Sequence, residues 1–414
     1  MTRTCVRART AAAALLVFLA AIALAMPVPA VASPDPDPGC PPVWVLGVQG
    51  TGQSSPDASR TDDTGMLGAL IGPVTAAAPG LVAHTYVPYA AGFGGVVGAG
   101  GGDEPYVRSV TDVIADLGAE AQRVVNQCPR TELALVGYSQ GAQAVSQLAR
   151  AVGAGNGPVS ADKVAAVALY ANPERRAGGP VLPGRPGQIT PDPAPGTSGA
   201  AVSTVQLSAP PASGSGIADD DAEYGALSGR VLDICAEGDL ACSAPEHAAL
   251  LRIGALIAAQ ADLSNPIGSV ASLQQLLSRA LGSAWTMIVL DDVAVSPATV
   301  DYMPRKTLAQ RMIEASDPRV AAPSPERAAE AGQRWTEITA TVAAHPAELL
   351  KLAGQLAGAW GQLLADNGDL ANPGVWARLA GTVAAHDGYA AAGQLGSGIA
   401  WLVAVAHDLA GGHQ

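Results

Sequence analysis

Aromatic side chains make up only 4% of this 414-residue chain, with phenylalanine present just twice. A core so poor in large rings has to be built from Ala, Val and Leu, packed closely. Charge is sparse as well. Asp, Glu, Lys and Arg together reach 14%, the formal net charge is −13, and no run of Lys and Arg occurs. That excludes nucleic acid as a partner, because neutralising a phosphate backbone takes clustered cations; neutral or apolar partners fit better. Metal patterns are missing too: there is no His-Glu-x-x-His, no histidine pair at helical spacing and no Cys-x-x-Cys. Neither a metal nor a cofactor is implied. What the chain has is apolar bulk, 49% hydrophobic, enough for one large domain with an elaboration.

Long hydrophobic runs are confined to the start. Arg3, Arg7 and Arg9 precede an apolar run from Ala11 to Ala25 and the small-x-small site Ala30-Val31-Ala32. This reads as an export signal over residues 1–32, with the mature chain beginning near Ser33. The run is shorter than the roughly 20 residues of a membrane-spanning helix, and Cys5 lies before it, so it is not a lipid-attachment cysteine. Later apolar stretches are interrupted, as His407 and Asp408 interrupt "GIAWLVAVAHDLAGG". A secreted product without an integral membrane segment is expected. Cleavage leaves Cys40, Cys128, Cys235 and Cys242, an even count suited to two disulfides outside the cytoplasm, with three pairings open.

Five short apolar runs read as buried strands, at residues 42–48, 81–87, 132–137, 163–171 and 230–235. Helical patterns lie between them at 66–77, 106–126 and 140–152. The alternation predicts a doubly wound α/β fold with a mainly parallel five-stranded sheet. Residues 172–222, rich in Pro, Gly, Ser and Ala, read as a long mobile loop. From Ala248 the character changes to Ala, Leu and Gln periodicity, with a cap at Ser324-Pro325-Glu326 and breaks at Pro266, Pro297 and Pro373. The expected organisation is a core over 33–248, an all-helical insertion over 249–382, and the end of the core over 383–414 with a last helix at about 393–409.

Gly137-Tyr138-Ser139-Gln140-Gly141 fits Gly-x-Ser-x-Gly. In that pattern a sharp strand-to-helix turn lifts the serine hydroxyl above the sheet, and the flanking glycines avoid collisions. With 48 glycines the string alone is weak; the strand-like run before it and the helical run after it supply the context. A helix starting at Gln140 offers its first amide to an oxyanion. A second donor is expected from "GVQGTGQSS" after the first strand. An acid on the loop after the last strand, Asp239, would stand at the carboxyl edge of the sheet, where open α/β folds place their sites. Asp233, inside the strand, is the competitor.

"CPRTELALVGYSQGA" and "ICAEGDLAC" resemble the cutinase family of secreted serine esterases. The resemblance covers roughly residues 40–245 and the last 30. It implies Ser139 as nucleophile, Asp239 as the acid inside a small Cys235–Cys242 disulfide loop, and a second disulfide between Cys40 and Cys128. It also implies oxyanion donors at the amides of Gln140 and of Thr51, the residue after Gly50.

The base must follow the acid in α/β hydrolases, which excludes His84 and leaves His247, His345, His386, His407 and His413. "SAPEH" reads as a helix start, with Ser243 and Glu246 as a capping box and Pro245 in the first turn. His247 would then sit at a positive dipole end, which disfavours the imidazolium the mechanism forms. His386 stands in a loop leading into the last helix, with Tyr389 three residues on, similar to the family's pattern, and it takes the role. An insertion between acid and base must leave and re-enter at the catalytic edge, so a lid with an apolar underside is expected over the site.

The resulting expectation is a secreted serine esterase acting on a cutin-like polyester, lipid or acyl ester, in contact with the cell envelope. The alternatives are an acyltransferase, thioesterase or phospholipase with the same triad, or a wall-associated binding protein in which the insertion has displaced His386. "AGFGGVVGAGGGDEP" lacks a phosphate-loop register and reads as a flexible loop near the cleft mouth.

Overall fold

The computed structural model describes residues 39–220 and 223–412. The export signal expected over residues 1–32, and His413, lie outside the described residues. Among the described residues no helix is long and apolar enough to cross a membrane.

The core alternates β1 (Val43–Val48), α1 (Gly65–Ala77), β2 (Val82–Tyr86), α2 (Tyr106–Gln127), β3 (Glu132–Tyr138), α3 (Gln140–Gly153), β4 (Val164–Tyr170) and β5 (Val231–Ile234). The sheet runs β2-β1-β3-β4-β5 with every pair parallel. β3 and β4 are buried at every position, the consequence of strands covered on both faces. Side chains divide with period two. Val45, Val136, Ala168 and Ile234 pack with α1 and the last helix (Gly396–Gly412), where Trp401 fills the centre. Leu46, Leu135, Val167 and Val231 pack with α2 and α3. Strand order reverses between β1 and β3, so a crevice opens at their carboxyl ends. Cys40 is joined to Cys128 and Cys235 to Cys242, the pairing that the resemblance implies.

Residues 172–220 are irregular, as their composition implies, yet they are fastened to the core. Leu182, Ala194, Val202 and Leu207 are buried, and Asp408 in the last helix accepts from the amides of Ala201 and Val202 at 2.7 and 2.9 Å.

The insertion contains α4 (Ala249–Ala258), α5 (Pro266–Met287), β6 (Val293–Val295), β7 (Val300–Tyr302), α6 (Leu308–Ser316), α7 (Pro325–Ala344), α8 (Ala347–Ala365), α9 (Pro373–Ala380) and α10 (Thr382–Asp387); the last helix of the core is α11. Pro266, Pro325 and Pro373 each open a helix behind an Asn or Ser cap. The all-helical expectation is corrected by the antiparallel β6–β7 hairpin. Valines at 293, 295 and 300 flank a turn at Pro297, and β-branched residues around a turn favour a hairpin over a helix. A second correction concerns "SAPEH". α4 begins only at Ala249, without a side-chain cap. Ala244 is held in a β-bridge with Ser215, and the Ser243 hydroxyl donates instead to the Ser213 carbonyl at 2.9 Å.

Candidate active site

Ser139 directly follows β3, with φ 54° and ψ −120°, a left-handed backbone rare for a side-chain-bearing residue. The neighbouring glycines make that turn feasible. A Cβ on Gly137 would stand 2.6 Å from the Ala142 Cα, and one on Gly141 would collide with the Val48 carbonyl. The turn is held by the Ser139 amide donating to the Tyr170 carbonyl of β4 at 2.9 Å.

The Ser139 Oγ lies 2.8 Å from His386 Nε2, and His386 Nδ1 lies 2.9 Å from each oxygen of Asp239. With a carboxylate on Nδ1, that nitrogen carries the proton and Nε2 accepts from the serine hydroxyl. Asp239 is fully buried, while the His386 side chain is 25% exposed. The Tyr389 hydroxyl donates to Asp239 Oδ2 at 2.8 Å and accepts from the Ala236 amide at 2.9 Å; the Ala241 amide donates to Oδ1 at 3.0 Å. Burial and the Asp239 charge together push the Tyr389 phenol well above its ordinary pKa, so it stays a donor. Tyr138 was missed as a contributor to the site: its hydroxyl donates to the His386 carbonyl at 2.7 Å and its ring stands 5.2 Å from the imidazole. Its place inside the Gly-x-Ser-x-Gly string was the only signal.

His386 occupies the last turn of α10 rather than a loop, which corrects that expectation. His247 is exposed and its Nδ1 lies 3.7 Å from Asp369, whereas the imidazole in contact with Ser139 is that of His386. Asp233 faces Asn172, whose amide donates to it at 2.9 Å, and burial raises its pKa to about 6. His84 Nε2 contacts the Thr61 carbonyl, and His345 Nδ1 the Thr341 carbonyl. His407 is exposed on α11.

Thr51 and Gln140 meet at the corner between β1 and β3. The Thr51 hydroxyl donates to Gln140 Oε1 at 3.3 Å, and Gln140 Nε2 donates to the Gly92 carbonyl at 3.0 Å. Gln140 is fully buried and thereby ties the β1 loop to the glycine-rich loop.

A cavity of about 600 Å³ opens over Ser139 and His386. The core contributes Thr51, Phe93, Ile217 and Val383, the insertion Ala255 and Leu256. The glycine-rich loop thus borders the cleft through Phe93 and Ala99. At its far side Arg319, on the linker after α6, reaches the core: Nη1 lies 2.8 Å from Glu174 and 2.9 Å from Asp220, and Nη2 donates to the Ala218 carbonyl at 2.8 Å. Glu174 is buried and also accepts from Gln143, Ser146 and Gln147. Burial raises its pKa, while Arg150 and Arg319 oppose the rise. Neither Arg319 nor Glu174 carries a sequence signal, because the pair lies 145 positions apart. Among the described residues no group of three or more His, Cys, Asp or Glu is placed to hold a metal ion.

A hydroxyl, an imidazole and a buried carboxylate stand in one hydrogen-bonded line at the switch point of a parallel sheet, the arrangement that serine hydrolases of the α/β class use. A sequence model of the cutinase family matches residues 39–250, and the chain belongs to that family. A carboxylesterase Culp6 homolog from Corynebacterium glutamicum is 33% identical over 145 residues, covering 34% of this chain and 44% of that protein. The chain thus spans less than half the length of this relative. Among solved structures, the catalytic core domain of acetyl xylan esterase from Trichoderma reesei is similar at 21% identity over 57% of this chain and 98% of that one, with a TM-score of 0.36. Lysin B from mycobacteriophage D29 is similar at 19% identity over 68% and 92%, with a TM-score of 0.37.

Proposed function

We propose that the chain is a serine esterase acting on carboxylic esters with an apolar acyl part, outside the cytoplasm. The observation that carries this reading is the unbroken line from the Ser139 hydroxyl through His386 to Asp239. Ser139 Oγ bonds to the ester carbonyl carbon while His386 Nε2 takes the hydroxyl proton, and Asp239 steadies the imidazolium. The amides of Gln140 and Thr51 receive the oxyanion. The carbon–oxygen bond to the alcohol then breaks, and His386 returns the proton to the leaving oxygen. Water repeats the sequence on the acyl-enzyme, releasing the acid and restoring Ser139.

Residues 249–382 act in this reading as a cap on the core, supplying Ala255 and Leu256 as an apolar wall for the acyl chain. A mostly apolar cavity also favours a second reading, transfer of the acyl group to an alcohol acceptor in place of water. A binding protein that has lost turnover would need His386 displaced, whereas the imidazole stands 2.8 Å from the hydroxyl. Two disulfides fit an oxidising compartment.

The test is p-nitrophenyl butyrate hydrolysis by wild type and Ser139→Ala. The substitution is expected to cut kcat by roughly 10⁴-fold or more at an unchanged melting temperature. Equal turnover in the two proteins removes Ser139 from the mechanism. Product analysis with an added alcohol separates hydrolysis from transfer.

A further inference from the structure

Helix α8 wears its polarity inside out. Its polar side chains turn to the protein: Glu348 Oε2 accepts from the Val300 amide at 2.8 Å, Gln355 Oε1 accepts from the Tyr302 amide at 2.8 Å, and Lys351 Nζ pairs with Asp301 at 3.0 Å. Leu349, Leu350, Leu356, Trp360 and Leu364 are each more than half exposed, and no residue of the helix is buried. With 3.6 residues per turn these five fall on one face, opposite the polar one, in a stripe about 22 Å long. From Leu349 to Ala365 the one charged residue is Lys351, already paired inward.

The neighbourhood repeats the pattern. Among the described residues every exposed large apolar side chain except Val97 and Ile189 lies between Leu250 and Val383. The chain also leads from this helix to the cavity. Just past α8, Asp366 and Asn367 accept from the amides of Ala249 and Leu250, at 3.1 and 2.8 Å, and so fix the start of α4, which walls the cavity. The chain then runs through exposed Trp376 to Val383, which is 69% exposed and lines the cavity mouth.

We infer that the outer face of α8 seats the enzyme on an uncharged lipid layer, from which an acyl ester enters the cavity beside Val383. A helix lying in an interface buries an apolar face and keeps its polar face out of the lipid, and indole rings suit that boundary. Such helices bind anionic headgroups through Lys and Arg on their flanks. Here the face has no cation and the chain has a net charge of −13, so the layer it fits is neutral, of the acylglycerol kind. The choice of an ester-bearing layer rests on the esterase reading.

The experiment measures adsorption to a dioleoylglycerol monolayer in the Ser139→Ala background, where nothing is hydrolysed. Adsorption is expected, and Leu356→Ser, Trp360→Ser and Leu364→Ser together should weaken it about tenfold or more. In active protein the same three changes should leave p-nitrophenyl butyrate turnover and melting temperature as in wild type. If the triple variant melts lower, Trp360→Arg alone is measured instead, with the same sign expected. Unchanged adsorption of a folded variant overturns the inference, as does tighter adsorption to phosphatidylserine vesicles. A lipid-free wild-type dimer that these changes convert to monomer also overturns it, by giving the face to a second copy. Failure of wild type to hydrolyse the soluble ester would sink the esterase reading instead, and adsorption would still judge the face.

Discussion

Asp239 is held from four directions, by His386, Tyr389 and the backbone amide of Ala241 around its oxygens, and by the ring that Cys235 and Cys242 close. A carboxylate so fixed offers the imidazole one orientation, the one that points Nε2 at Ser139. Tyr389 is in this sense a positioning residue, touching the acid and no reacting atom. Tyr389→Phe is expected to lower kcat about tenfold with KM unchanged, the worth of one hydrogen bond in a closed site. A rise in KM at constant kcat would place the residue in substrate binding instead. The serine, the acid and the histidine were all legible in the sequence because each sits in a short string: an elbow, a disulfide ring, and a His with Tyr three positions later. The contribution of Tyr138 was not, since only folding brings its hydroxyl under a carbonyl 248 positions away.

The elements divide by how local their causes are. β3, the elbow and α3 follow from a continuous apolar run, two glycines and a helical period, all within residues 132–153. The hairpin β6–β7 and the late start of α4 follow from distant partners: Gln355 and Glu348 of α8 take amides of β7, and Ser215 pairs with Ala244. Periodicity over a window cannot register such partners, and the Ala-rich insertion reads as helix throughout. α4 contributes Ala255 and Leu256 to the lining of the cavity. Ala255→Trp should fill the acyl space and reduce kcat/KM for p-nitrophenyl laurate about tenfold, while turnover of the butyrate ester stays as in wild type. A parallel loss on both esters would separate α4 from acyl binding.

Across the whole molecule the five-stranded sheet carries, among the described residues, two carboxyls, Asp233 in β5 and Glu132 at the start of β3, and Glu132 is the costlier. It is 8% exposed, and its Oε2 has no hydrogen-bond partner. Burial raises its pKa from 4.5 to about 7, against the pull of Lys163 and Arg230. A carboxyl raised in the folded state contributes fully below its unfolded pKa, and that contribution is lost as pH rises through about 7. Glu132→Gln is therefore expected to stabilise the protein near pH 8 by about 2 kcal/mol and to have little effect near pH 4 by thermal melting. The Arg319–Glu174 contact works at the same scale, joining the linker after α6 to the core at the cavity's edge. The central claim, that three side chains from the turn after β3, the loop after β5 and α10 act as one relay, is tested most directly by active-site titration with diethyl p-nitrophenyl phosphate followed by peptide mass spectrometry. One nitrophenol released per chain is expected, with the diethylphosphoryl group on Ser139 and labelling lost in His386→Ala. Labelling at another residue, or a His386→Ala protein labelled at the wild-type rate, would contradict the relay.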